Sequence, residues 1–153
     1  MRPALRILLL LLFVGLTASA CKDLKKLLPA TTVDNPTEGT REWLVYKALE
    51  AGMIKDEAES WKALRPLLHS DVLAMSSSEN SFRTMNFPAF RRKVDLLTPE
   101  PGKATYTLDY DQEDTPDLEW RLFVVNKMSD MPSPFRIRRD KNANNDWRIV
   151  NIP

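Results

Sequence analysis

The chain has 153 residues, 43% of them hydrophobic, with 22 Lys+Arg against 21 Asp+Glu. That length sets a single domain whose core can stand without staples, and a formal net charge of +1 gives no electrostatic ground for a nucleic-acid partner. One cysteine excludes an intrachain disulfide, so packing alone must hold the domain together.

Arg2 and Arg6 precede an apolar run over residues 7–16 broken only by Gly15, and Thr17-Ala18-Ser19-Ala20 follows with small side chains. That is the order of a signal peptide, residues 1–20. The apolar run falls short of the about 20 helical residues that cross a bilayer, which argues against a permanent membrane helix. Two cleavage readings stand. Ala18-Ser19-Ala20 satisfies the A-x-A pattern of ordinary signal cleavage, while Thr17-Ala18-Ser19-Ala20-Cys21 resembles the bacterial lipobox, with Ala18 where Leu or Val is usual. The lipobox resemblance implies cleavage between Ala20 and Cys21, a diacylglycerol on the Cys21 sulfur and an N-acyl lipid on the new terminus. No other cofactor is expected. Each buried methylene contributes about 0.8 kcal/mol, so two or three acyl chains hold a protein on its membrane. By analogy with lipoprotein sorting in enteric-type bacteria, Lys22 directly after the cysteine implies the outer membrane, facing the periplasm.

Residues 21–36 carry Pro29, Thr31, Thr32, Asn35 and Pro36 without a sustained period and read as an anchor and tether, leaving residues 37–153 as the domain. Thr37 or Thr40 can cap a first helix that runs to Ala51 before Gly52, with Trp43, Tyr46, Leu49 and Met53 on its buried face. A second helix over residues 55–65 aligns Trp61, Leu64 and Leu68, and Pro66 breaks it. Ser76-Ser77-Ser78 reads as a loop. In a third helical segment Asn86 can cap, Pro88 sits in the tolerated first turn, and Phe90, Val94 and Leu97 repeat on one face.

From Ala104 the period changes to two. Four strands are predicted over residues 103–110, 118–127, 134–139 and 147–152. A loop over residues 111–117 would set Tyr110 opposite Leu118, Leu108 opposite Trp120 and Tyr106 opposite Leu122, all facing the core. A loop over residues 140–146 would set Arg139 opposite Trp147. Leu122-Phe123-Val124-Val125 is apolar on both faces, as a central strand would be. The predicted fold class is α+β, three helical segments packed on a four-stranded antiparallel sheet. Pro36-Thr37-Glu38-Gly39 ahead of the first helix, and Asn144-Asn145-Asp146 turning into Trp147-Arg148-Ile149-Val150, resemble the nuclear-transport-factor-two-like fold, the cone of ketosteroid-isomerase-like and SnoaL-like proteins. The resemblance implies a cone interior that can hold a small molecule.

Three groups of residues carry the site expectations. Tyr106, Tyr110 and Trp120 could line a pocket, but the predicted core face holds no carboxylate, so the isomerase activity of the resembling family is not carried over. Arg138 directly opposite Arg148, with Arg136 two residues along and Arg121 on the next strand, makes a face that asks for counterions. Glu119 and Asp109 can supply them; otherwise the face suits an acidic partner or an anionic headgroup. His69 is the sole imidazole, and its neighbours Ser70 and Asp71 do not make a triad by adjacency; a histidine in a loop or at a helix end is expected. No metal site is expected, and no phosphate-cradling or nucleophile-elbow motif occurs. The functional expectation is a non-catalytic envelope lipoprotein that binds a protein partner of the envelope, with a small-molecule binder or enzyme using the cone interior as the alternative.

Overall fold

The structure is a computed structural model describing residues 29–153, so the leader, the Ala20–Cys21 bond and Cys21 itself lie outside the described residues. The domain is α+β, with a five-stranded antiparallel sheet in the order β1-β2-β3-β4-β5. The strands are β1 (Thr31–Val33), β2 (Tyr106–Thr115), β3 (Glu119–Asn126), β4 (Ser129–Asp140) and β5 (Asp146–Asn151). The strand beyond the four expected is β1, which occupies part of the predicted tether and pairs Thr31 with Leu108 and Val33 with Tyr106. Three residues are too few to show a period of two, and their extended form is supported by the neighbouring strand.

Helix α1 (Arg41–Met53) starts where Thr40, one of the two candidate caps, accepts the Trp43 N–H through its hydroxyl. Its deepest face is Leu44, Val45, Ala48 and Leu49, however, while Trp43, Tyr46 and Met53 are only partly buried. The aromatic spacing marked the flank of the buried stripe rather than its centre. Helix α2 (Glu57–Leu64) is capped by Asp56, and Trp61, Leu64 and Leu68 are buried as expected. Arg65–Leu67 is a 3-10 turn at Pro66. After the short α3 (Ser70–Leu73), Ser76-Ser77-Ser78 is the start of α4 (Ser76–Ser81) and not a loop. From there the chain stays helical through a π turn, Phe82–Asn86, into α5 (Phe87–Leu97). Asn86 is therefore mid-helix with a helical φ and no side-chain cap bond, contrary to expectation. A proline inside a helix loses one N–H and crowds the carbonyl four residues back; the wider turn ahead of Pro88 is where the helix absorbs that misfit.

The first long hairpin also departs from the prediction. β2 and β3 continue to Thr115 opposite Glu119, with Asp117 in the left-handed region at φ 55° turning the chain. Tyr110 opposes Phe123, Asp111 opposes Leu122 and Glu113 opposes Trp120. An irregularity between Leu108 and Tyr110 leaves Asp109 without a partner and exchanges the faces of the residues after it. β3 is the central strand, as read from its two apolar faces, and meets β4 with Leu122 opposite Phe135. The last hairpin has the expected register, Arg138 opposite Arg148 and Arg139 opposite Trp147, around left-handed Asn144 and Asn145.

The core lies between one sheet face and the helices. Leu122, Val124, Phe135, Ile137 and Ile149 are fully buried against residues that include Leu44, Val45, Leu49, Phe87 and Phe90. Phe90 meets Phe135 edge-on with centroids 5.9 Å apart.

Candidate functional site

Two polar constellations stand on opposite faces of the sheet. On the outer face the strand registers bring Arg121, Arg136, Arg138 and Arg148 together: Arg121 opposes Arg136, and Arg138 opposes Arg148. Opposed like charges need anions, and Glu119 supplies one from the same face. Its buried carboxylate accepts Arg136 Nε on one oxygen and Arg138 Nε, at 2.8 Å, on the other. Arg138 reaches on to Asp71 of α3 at 2.9 Å, Arg121 holds Asp114 at 2.6 Å, and Arg148 lies 3.5 Å from Asp146. Glu119 was expected in this role and Asp109 was not found in it. The bulge leaves Asp109 beside Val125, Asn126 and Lys127, and Asp114 and Asp71 take its place. The face is a mosaic of both signs.

On the helix side the predicted pocket residues do not converge. Tyr106 is fully buried, and its hydroxyl donates to the Glu42 carbonyl at 3.1 Å. Burial, reinforced by the nearby negative charge of Glu42, pushes the phenol well above its ordinary value, so it stays a proton donor. Tyr110 is on the outer face, stacked on Phe123 at 4.2 Å and 19°, because of the bulge before it. Trp120 remains on the helix side, partly buried.

Trp120 is instead the floor of a cluster that the sequence reading missed. The Arg41 guanidinium lies 3.7 Å over its ring centroid and 5.9 Å from that of Trp147, and the Arg139 guanidinium lies 3.9 Å from Trp147. Arg41 Nη2 is 3.7 Å from Asp111, and Nη1 is buried with no hydrogen-bond partner. Asp111 faces the helices because the strand continues past the predicted loop boundary and the bulge at Asp109 exchanges the faces of the residues after it, so that face does carry a carboxylate. The signal available in the sequence was Arg41 itself. A cation in the first turn of a helix opposes the helix dipole and needs compensation from outside the helix.

His69 caps α3, as a helix-end histidine should. Its Nδ1 accepts the Asp71 N–H at 3.0 Å, leaving Nε2 to carry the proton toward the Arg139 carbonyl 3.2 Å away. Next to it the buried Asp140 carboxylate accepts the Ser70 N–H at 2.7 Å, the Ser70 hydroxyl at 2.8 Å and the Asn142 N–H at 2.9 Å. Burial opposes that charge, but the Ser70 and Asn142 bonds prevail and hold the carboxyl below the usual range. Ser70 faces Asp140 and not the imidazole, so the three residues form a clasp between α3 and the last hairpin. Among the described residues no three His, Cys, Asp or Glu side chains converge as a metal site.

Comparison with known proteins finds no matching family model, no matching curated protein and no matching solved structure.

Proposed function

We propose that this protein is a non-catalytic lipoprotein of the cell envelope, held by a diacylated and N-acylated Cys21 on the outer membrane facing the periplasm, and that its domain binds another envelope protein. The observation that carries the reading is the closed interior. Tyr106, Leu122, Val124, Phe135, Ile137 and Ile149 are all at 0% exposure, so among the described residues the helix-side face that they build is packed and leaves the outer sheet face for contact. The outer sheet face, with Arg136 at 48% side-chain exposure and Arg121 at 37%, is the natural contact area. Because acids already neutralise its arginines, it fits a partner surface of alternating charge better than a uniformly acidic one. We propose further that the domain's architecture is a nuclear-transport-factor-two-like cone. It is supported by a long first helix preceding a four-stranded meander, β2 to β5.

Photo-crosslinkers placed at Arg121 and Arg136 in cells test the binding role. A defined envelope protein crosslinked at both positions is expected, and its loss in Arg138→Glu with Arg148→Glu; adducts that are random in identity would sink the reading.

One observation favours a second reading, a small-molecule site on the helix side of the sheet: the orphaned Arg41 Nη1 beside Asp111 and two indole rings. It predicts that small carboxylates raise the melting temperature of the parent and not of Arg41→Ala. Identical responses from both proteins would remove its basis.

A further inference from the structure

A strand edge presents main-chain N–H and C=O groups that seek partners. β2 is ten residues long, yet β1 pairs with only three of them, ending at Thr31 opposite Leu108. Over residues 109–115 the side of β2 away from β3 has no strand partner among the described residues. At about 3.3 Å per residue that is roughly 23 Å of open edge, the span of an ordinary strand. Edges are commonly blunted by lysine, proline or a bulge. Here irregularities lie between Leu108 and Tyr110 and between Glu113 and Thr115, and residues 110–115 between and beside them hold neither Lys, Arg nor Pro.

The side chains along this edge select what can pair with it. Asp109, Asp111, Glu113 and Asp114 make it acidic, and the strand is exposed from Gln112 onward. Asp111 and Asp114 meet Arg41 and Arg121, whereas Asp109 and Glu113 make no ion pair among the described residues. Two copies paired through this edge would set acids against acids, which disfavours self-association. An extended segment carrying Lys or Arg would gain main-chain bonds and opposite charges together.

We propose that the open edge of β2 at residues 109–115 takes up, by strand addition, an extended basic segment of a partner protein. Main-chain bonds supply the attachment, and the acids supply the choice of partner. This deepens the reading of the domain as a binding module and rests on it.

The test uses the full-length protein in detergent micelles with two fluorescent ten-residue peptides, one alternating Lys and Thr and the other alternating Glu and Thr. The Lys-Thr peptide should bind, should slow amide exchange at residues 109–115, and should lose about tenfold or more in affinity for Asp109→Lys with Glu113→Lys. That variant should prefer the Glu-Thr peptide. Equal or absent binding of the two peptides by the parent, or protection that falls elsewhere, overturns the assignment. Should the double variant lose its sheet signal in circular dichroism, the two-peptide comparison on the parent decides alone. Crosslinks at Arg121 and Arg136 read the outer face, not this edge. A partner captured there with no Lys-Thr binding would leave the binding role standing and the edge assignment refuted.

Discussion

Glu119 is the residue on which the outer face depends. It is 6% exposed and shared by two guanidinium groups, so removing its charge leaves Arg136 and Arg138 facing each other without an anion between them. Both arginines keep contact with solvent, which moderates the cost. Glu119→Gln is expected to destabilise the domain by about 2 kcal/mol, read from urea unfolding, below the 3–5 of a fully buried broken pair. Asp140 makes a prediction in pH. Its folded-state value is depressed, so its contribution to stability is complete above the unfolded value of about 3.9 and is lost as pH falls through the lower folded value. The stability difference between the parent and Asp140→Asn should therefore be largest near neutrality and shrink below about pH 4. A difference that is constant across that window would show that the Ser70 and Asn142 bonds do not favour the charged form.

At the scale of elements, the approach of α1 to α5 is set by Gly52. A Cβ there would stand 2.6 Å from Val94 Cγ2 and 2.9 Å from Phe90 Cε1, closer than side chains tolerate. Gly52→Ala should cost about 1–3 kcal/mol despite alanine's better helix propensity, and adding Val94→Ala should restore part of it. Equal stability of Gly52→Ala and the parent would mean that the helices separate freely. The β2 bulge acts on the same scale. One unpaired residue, Asp109, sends Tyr110 to the outer face and turns Asp111 toward Arg41, so one local irregularity divides the predicted aromatic pocket and brings a carboxylate to the helix side.

At the scale of the whole molecule, location and contact are separable. Cys21→Ser should move the protein from the detergent phase to the aqueous phase while leaving its melting curve unchanged, because the domain core is built from residues far along the chain from the anchor. Retention of the variant in the detergent phase would sink the lipoprotein proposal. The sheet and the helices share one hydrophobic core, so heating should give a single transition by both far-ultraviolet and near-ultraviolet circular dichroism.

Local sequence was enough for the α+β class, a cap at Thr37 or Thr40, the buried faces at Trp61, Leu64 and Leu68 and at Phe90, Val94 and Leu97, and the register of the last hairpin. Each of these rests on local periodicity or turn chemistry, which neighbouring residues carry between them. It also placed Arg121, Arg136, Arg138 and Arg148 on one face, because alternation along a strand needs no tertiary information. Tertiary structure alone decided β1, the bulge at Asp109, the continuous helix through Pro88, and the meeting of Arg41 with Trp120 and Trp147. A three-residue strand is supported by its neighbour, a bulge resets alternation without a compositional mark, and a π turn is a compromise between a proline and the packing on either side of it. Contacts between residues nearly eighty positions apart, such as Arg41 over Trp120, exist only once the helix has docked on the sheet.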